Sequence, residues 1–269
     1  MENKKKSNLY FVHANGFLPD AYKPLFNTLN NDLNIHNFFL LDIFKSKNFK
    51  LKNWIAYHNS FIKSIKHEEI IGLGHSIGGN IILRSAISHP DKFKAIILLD
   101  PTLFVPKIIF FWKIFYYLNI QKKFHPWLES TLKRRMTYSD FDSIFNAYRK
   151  KNVFKKINDE NLKIYINSLT QEKNNTLKIK YPKEHEYTIY KTGLLKDNYI
   201  WKNLHKIDIP CLIIRASDSN AFLENAANKV SKLNKKITIK TLDDTTHLFP
   251  LEKPNTVSEL INKFLEDII

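Results

Sequence analysis

Short, continuous runs of apolar residues alternate along the chain with segments in which apolar residues recur at helical spacing. The runs occupy residues 8–12, 37–42, 70–73, 94–99 and 211–215 and have the length of buried strands, and the alternating segment 236–241 predicts one more strand. Helical patterns lie between them, at 54–65, 77–88, 219–232 and 255–267. Strands that are apolar throughout and alternate with helices are typical of a parallel sheet covered by helices on both faces. We therefore predict an α/β fold with a mostly parallel central sheet.

The alternation breaks between residues 102 and 207. No buried-strand run occurs there, and aromatic residues and lysines follow helical spacings instead. After Ile209-Pro210 the earlier rhythm of strand and helix returns. The pattern predicts a core formed by residues 1–101 and 208–269, with a helical insertion formed by residues 102–207.

The segment Gly74-His75-Ser76-Ile77-Gly78 joins one of the buried strands directly to a helix. Glycines on both sides of Ser76 permit a tight turn that lifts the serine hydroxyl clear of the sheet, where a base can reach it. The N–H of Ile77, at the start of the helix, is placed to donate to a developing oxyanion. The alternative is a plain glycine-rich turn, since this short pattern also occurs by chance.

Other candidate groups follow the ends of other predicted strands, where the functional groups of a parallel sheet collect. His247 follows the last strand and is the candidate base that takes the proton of Ser76, although it could be an ordinary loop histidine. Asp218 is the preferred acid that orients His247, and its alternative role is a turn or a helix cap. Asp100 also ends a strand and is the rival acid.

The first strand leads into the loop His13-Ala14-Asn15-Gly16-Phe17. An oxyanion needs a second N–H donor, and Asn15 or Phe17 can supply it from this loop. The alternative is a simple Asn-Gly turn.

The composition limits which cellular compartment and which binding partners we expect for the protein. The chain of 269 residues has a net charge of +16, but its lysines are scattered and mixed with many Asn and Ile residues, so we expect no nucleic-acid partner. The single cysteine, Cys211, excludes an internal disulfide and fits a reducing compartment, and no signal peptide follows the basic start, so we expect a cytoplasmic protein. The apolar stretch 103–120 is too short and too charged to span a bilayer.

Together, the first loop, the Gly74–Gly79 turn, the Arg215–Asp218 segment and His247-Leu248-Phe249-Pro250 resemble the motifs of the α/β-hydrolase fold superfamily. The resemblance covers nearly the whole chain and is to the serine-nucleophile branch with an inserted helical cap. It implies Ser76 as nucleophile, with His247 and Asp218 completing the triad, oxyanion donors at Ile77 and at Asn15 or Phe17, and no metal or organic cofactor. The chain starts at what is usually the third strand of the family, so the antiparallel edge is missing or formed elsewhere.

These features favour a serine hydrolase that cleaves a small or medium carboxylic ester through an acyl-enzyme. A thioesterase, lactonase, amidase or carbon–carbon bond hydrolase would use the same groups, and a non-catalytic ligand-binding protein of the same fold is the rival from another class. The resemblance places the insertion over the active site. Its aromatic residues between Phe110 and Tyr117 are either its own core, the lining of an acyl pocket or, with nearby lysines, a surface for weak membrane association. We expect a small acyl substrate and no stable membrane anchor, and the oligomeric state stays open.

Overall fold

Strands and helices alternate at both ends of the chain and enclose an insertion. The computed structural model describes residues 6–46 and 49–269, so the basic start of the chain lies outside the described residues. The first part contains β1 (Ser7–Val12), α1 (Lys23–Phe26), β2 (Leu33–Phe38), α2 (Ile55–Ser64), β3 (Ile70–His75), α3 (Ile77–Ser88) and β4 (Phe93–Leu99). The insertion contains α4 (Pro106–Tyr117), α5 (Leu128–Lys133), β5 (Thr137–Tyr138), α6 (Phe141–Arg149), α7 (Asp159–Leu169), β6 (Thr170–Lys173), β7 (Thr176–Ile179), α8 (Lys183–Thr192) and α9 (Asn198–Asn203). The last part contains β8 (Cys211–Asp218), α10 (Glu224–Leu233), β9 (Ile237–Thr246), α11 (Phe249–Glu252) and α12 (Pro254–Leu265).

The core strands form one sheet in the order β2-β1-β3-β4-β8-β9, and every neighbouring pair is parallel. All residues of β3 are buried, and so are all but one of β4. Strands enclosed in this way must be apolar on both faces, which is why they stand out in the sequence as continuous apolar runs. The predicted α/β fold with a mostly parallel sheet and surrounding helices is confirmed.

The edge strand β2 differs from its prediction. The apolar run 37–42 predicts a strand, but the strand spans Leu33–Phe38 and residues Leu40–Lys45 form a 3-10 helix. An edge strand is only partly buried, so most of β2 carries little apolar signal, while the buried Leu40 belongs to the helix that follows. Both edges of this sheet, β2 and β9, are parallel to their neighbours, so among the described residues the six-stranded sheet has no antiparallel edge strand.

The insertion contains a small sheet that the sequence does not predict. Strands β5, β7 and β6 pair antiparallel in that order. They are two to four residues long and largely exposed, as in the segment Thr-Gln-Glu-Lys of β6, so they leave no apolar run to find. The insertion is therefore mainly helical but not entirely so. Its treatment as a separate unit with the bounds 102–207 stays a prediction.

Among the described residues, no helix combines the length and the hydropathy that a membrane crossing requires.

Candidate active site

Ser76 lies at a sharp turn between β3 and α3. Its backbone φ is +59°, in the left-handed region that a residue with a side chain rarely adopts, so the turn carries local strain. The glycines around it make the turn possible. A Cβ atom on Gly78 would lie 1.9 Å from the carbonyl oxygen of Val12, and one on Gly74 would lie 2.4 Å from the backbone of Gly78. No larger residue fits at either position without a shift of the backbone.

The side chain of Ser76 faces the loop that follows β4. Its Oγ lies 3.2 Å from Oγ1 of Thr102, within hydrogen-bond distance. The N–H of Thr102 also donates to the carbonyl oxygen of Ser76 at 2.9 Å. Ile77 is the first residue of α3, and backbone N–H groups at a helix start have no partner within the helix. The turn therefore presents a hydroxyl and an N–H group side by side.

Asp100 is the carboxylate that contacts His247. The Nδ1 atom of His247 lies 2.6 Å from Oδ2 of Asp100, and the aspartate is fully buried. Two further donors hold the carboxylate in place: the hydroxyl of Ser219 at 2.6 Å and the backbone N–H of Ala216 at 3.2 Å. A buried carboxylate needs such partners, because an unpaired buried charge is costly.

Asp218 does not contact His247. Its side chain is 66% exposed and pairs with Lys156, which lies 3.3 Å away on the surface of the insertion. The preference for Asp218 as the partner of the histidine was therefore wrong, and the rival Asp100 takes that position. The physical reason is that β8 runs on to Asp218 and pairs there with Thr246 of β9, which carries Asp218 past the site, whereas β4 ends one residue before Asp100.

Ser219, which orients Asp100, is a site residue that the sequence did not single out. Its oxygen also accepts from the backbone N–H groups of Ala221 and Phe222, at 3.2 and 2.8 Å. These bonds form a turn, which is why α10 begins only at Glu224 instead of near residue 219. Several hydroxyl and carboxylate side chains follow one another near the end of β8, and each of them could cap a helix or form a turn. The sequence alone therefore does not show which of these side chains contacts Asp100.

In the first loop, the two candidate oxyanion donors differ in what they already bind. The N–H of Phe17 donates to the carbonyl oxygen of Ala14 at 3.1 Å, so it is engaged in a turn. The side chain of Asn15 is held by the insertion: its Nδ2 donates to the carbonyl oxygen of Glu186, and its Oδ1 accepts from the hydroxyl of Tyr181. These contacts fix the side chain of Asn15, whereas the N–H of Phe17 is already engaged, and the choice between the two as second donor stays a prediction.

The insertion also places an ion pair next to this loop. A Cβ atom on Gly16 would lie 3.4 Å from the carboxylate of Glu186, which pairs with Arg134. Both side chains are nearly buried. Burial raises the pKa of Glu186, while the positive charge of Arg134 opposes that rise. The insertion thus closes over the first loop through polar contacts.

His75, directly before Ser76, links the first loop to His247. The ring is fully buried, and its Nε2 lies 2.9 Å from the carbonyl oxygen of His247, while its Nδ1 lies 2.7 Å from the hydroxyl of Tyr22. The same hydroxyl accepts from the N–H of Ala14 at 3.3 Å. Burial lowers the pKa of His75 well below its usual range, so the ring is neutral and donates through Nε2. This chain of bonds brings the loop of His247 beside the serine turn.

A second buried network lies behind the serine turn. Asn80 on α3 donates through Nδ2 both to the carbonyl oxygen of Thr102 at 2.9 Å and to the carboxylate of Asp197 at 2.8 Å. Asp197 also forms an ion pair with Arg84, 3.2 Å away, and both of these side chains are almost completely buried. Asp197 precedes α9 in the insertion. The network therefore ties the insertion to the loop that touches Ser76, across more than a hundred residues of sequence.

The buried His13 makes stability depend on pH. Burial lowers its pKa from 6.5 to about 4, and its Nε2 accepts from the N–H of Leu40, which requires a neutral ring. The unfolded chain binds the proton at higher pH than the native state, so this stabilisation is complete above about pH 6.5 and is lost as the pH falls toward 4. We expect the free energy of unfolding to fall by roughly 1.4 kcal/mol per pH unit from this group, about 3 kcal/mol in all.

Urea unfolding at a series of pH values measures this effect. A His13→Gln variant should show a shallower dependence over the same interval, because one titrating group is gone. An unfolding free energy that stays constant between pH 6.5 and 4 in the unchanged protein would contradict the prediction.

Within the part of the chain that the structure describes, no three or more His, Cys, Asp or Glu side chains converge in a way that could hold a metal ion.

Most of the chain is similar to one known family of proteins. Residues 42–254 match the model of the family described as alpha/beta hydrolase fold. The chain belongs to the α/β-hydrolase fold family. That span includes Ser76, Asp100 and His247, together with the whole insertion, while the first loop precedes it.

Several individual proteins are similar to this α/β-hydrolase. A type I acyl-CoA thioesterase, mpaH of Penicillium roqueforti, is 28% identical over 110 residues, which cover 34% of this chain and only 25% of that protein. The match thus spans about a quarter of the curated relative. The crystal structure of E-2-(acetamidomethylene)succinate hydrolase has a TM-score of 0.76 at 16% identity, covering 97% of this chain and 93% of that one.

The peroxisomal α/β-hydrolase Lpx1 of Saccharomyces cerevisiae has a TM-score of 0.72 at 16% identity, covering 98% of this chain and 77% of its own. At such low identity these structures establish the fold alone.

Proposed function

We propose that this α/β-hydrolase is a serine hydrolase that cleaves carboxylic esters of small or medium size through an acyl-enzyme. The observation that carries the proposal is the pair of the buried Asp100 and the partly exposed His247, with Oδ2 and Nδ1 2.6 Å apart, held by His75 next to a serine at a strained turn. In such a pair the carboxylate orients the histidine as a base, and the hydroxyl of Ser76 needs a base to become a nucleophile.

The two-step chemistry follows from these positions. Asp100 holds the proton of His247 on Nδ1, which leaves Nε2 free to accept the proton of Ser76 as its oxygen attacks the substrate carbonyl. The oxyanion that forms accepts hydrogen bonds from the N–H of Ile77 and, we propose, that of Asn15. His247 then donates the proton to the departing alcohol, leaving the acyl group on Ser76. Water repeats the cycle: His247 takes its proton, the acid leaves, and the proton returns to Ser76.

Contacts between the insertion and the loops of the site support its role as a cap. Asn15 in the first loop is bonded to the backbone of Glu186, and the indole N–H of Trp201 donates to the carbonyl oxygen of Phe104 at 2.7 Å. The first contact joins the insertion to the first loop of the core, and the second joins α9 to the segment that leads from β4 into the insertion. We propose that the cap delimits the acyl pocket, and that no metal or organic cofactor takes part.

A thioester is the second candidate substrate. The curated relative mpaH is named an acyl-CoA thioesterase, and attack on a thioester uses the same nucleophile, base and oxyanion donors. Lactone, amide and carbon–carbon bond hydrolysis remain further candidates for the same groups.

We also propose a cytoplasmic location, since Cys211 is a buried free thiol in a chain that fits a reducing compartment.

Covalent labelling combined with a substrate panel tests the proposal. A fluorophosphonate probe should label the protein, and mass spectrometry of the digest should place the adduct on Ser76. Hydrolysis of p-nitrophenyl esters and of acyl-CoA thioesters of rising chain length should then show which leaving group is preferred and how long an acyl chain fits. An adduct on Ser76 without turnover would redirect the search to lactones, amides or carbon–carbon bonds. A folded protein with neither adduct nor turnover would favour the non-catalytic binding protein.

A further inference from the structure

Helix α4 of the insertion exposes its apolar side chains to solvent. Exposed large hydrophobic residues recur at the spacing of one helix face, at positions 110, 111, 114, 117 and 118. Their exposed fractions are 59% for Phe110, 44% for Phe111, 37% for Ile114, 81% for Tyr117 and 63% for Leu118. We call these five residues the α4 stripe. A surface helix normally turns polar residues outward, so the stripe is the reverse of the usual arrangement.

The stripe is not the core of the insertion. Ile109 and Trp112, on the opposite side of α4, are the buried residues of that helix. Phe124, 56% exposed, stacks on Phe115 with ring centroids 4.0 Å apart and enlarges the apolar surface. The alternative in which these aromatic residues form the core of the insertion therefore holds only for the buried side of α4.

The charged residues in the segment that carries the stripe all have the same sign. From residue 101 to residue 128 the sequence contains no Asp or Glu, but it contains Lys107, Lys113, Lys122 and Lys123. Lys107, Lys122 and Lys123 are exposed, and the chain as a whole carries +16. Exposed aromatic and aliphatic side chains bordered by lysines are complementary to a partner that has an apolar interior beneath a negatively charged surface.

We propose that the α4 stripe docks this protein on the surface of bilayers that contain anionic lipids. Helix α4 lies in the plane of the interface, its apolar side chains enter the boundary between headgroups and acyl chains, and the lysines contact lipid phosphates. A second copy of the chain is the poorer occupant, because a two-fold contact through this face would bring the same lysines against each other. A bilayer of anionic lipid neutralises that charge instead.

Docking there would bring the membrane close to the site. Thr102, which contacts Ser76, lies four residues before the start of α4 at Pro106. Given the proposed function, which this step requires, an ester dissolved in the bilayer would meet the protein at the helix that follows the loop of Thr102. Membrane binding itself does not depend on catalysis and can be tested separately.

Flotation of the full chain with vesicles tests the docking. Vesicles of phosphatidylcholine mixed with phosphatidylserine should carry the protein upward in the gradient, vesicles of phosphatidylcholine alone should carry much less, and added salt should release it. Replacing Phe110→Gln or Phe111→Gln should lower the partition coefficient about tenfold. Lys122→Gln and Lys123→Gln should each lower it about fivefold.

A matched control lies on the core. Leu233 is 42% exposed at the end of α10 and has Lys232 beside it, so Leu233→Gln and Lys232→Gln remove the same kinds of group elsewhere. These variants should float like the unchanged protein. Equal flotation of the α4 variants and the controls, or no flotation with anionic vesicles, would overturn the proposal. A different result would also overturn it: the protein does not float, light scattering shows a concentration-dependent dimer, and Phe110→Gln abolishes that dimer. The Ser76→Ala variant should float unchanged, which separates docking from the proposed catalysis.

Discussion

Replacing Ser76 with alanine should lower kcat for any ester that the protein hydrolyses by about 10⁶-fold. The hydroxyl is the only atom at the apex of the turn that can form the acyl-enzyme, so its removal abolishes the covalent route and leaves only binding and oxyanion stabilisation. Labelling by a fluorophosphonate should disappear as well. Steady-state kinetics and gel-based detection of the probe measure the two effects.

Ser217→Ala is a suitable control for that experiment. Ser217 also lies near the carboxyl end of a core strand, but its hydroxyl faces the carbonyl oxygen of Thr245 and not the groups of the site. Its removal should leave labelling and kcat within about twofold, as expected for a weak, peripheral hydrogen bond. Circular dichroism on both variants confirms that the fold is retained. Turnover or labelling that survives in Ser76→Ala would show that another residue is the nucleophile.

The serine turn could be predicted from the sequence because its signal is local. Gly74 and Gly78 are required within a few residues of Ser76, since the turn leaves no space for a Cβ atom at either position. The buried strands could be predicted for a similar reason: each is enclosed on both faces and must be apolar along its length. The weaker predictions concern β2, which is only partly buried, and the short strands of the insertion such as β6, which is largely exposed, so that neither carries a continuous apolar signal.

The acid could not be chosen from the sequence because the choice depends on where each strand stops in space. Asp100 and Asp218 both follow apolar runs, and nothing in those runs shows that β8 and β9 remain paired as far as Asp218 and Thr246. The bonds from Ser219 and Ala216 to Asp100 join segments more than a hundred residues apart. The same holds for Asp197, which reaches Asn80 and Arg84 from the insertion. Pairings of this kind depend on the fold as a whole.

Replacing Asp100 and Asp218 separately with asparagine distinguishes their roles. Asp100→Asn should lower kcat by about 10⁴-fold, because the amide that replaces the carboxylate donates to Nδ1 of His247 and forces the proton onto Nε2. In that tautomer the imidazole cannot accept the proton of Ser76. Asp218→Asn should change kcat by less than about twofold, since its exposed carboxylate only pairs with Lys156 at the surface. Kinetics on the ester that the unchanged protein hydrolyses best measure both effects.

The two variants are matched in chemistry, since each loses one negative charge and keeps the shape of its side chain. The asparagine at 100 retains an oxygen that can accept from the N–H of Ala216, so the turn after β8 should persist and the thermal unfolding midpoint should reveal any loss of structure. The fluorophosphonate should react with Asp100→Asn far more slowly than with Asp218→Asn, because labelling needs the same activated hydroxyl as turnover. The reverse result, with activity lost in Asp218→Asn and kept in Asp100→Asn, would mean that the contact between Asp100 and His247 is structural only and that the site rearranges to bring Asp218 to the histidine when substrate binds.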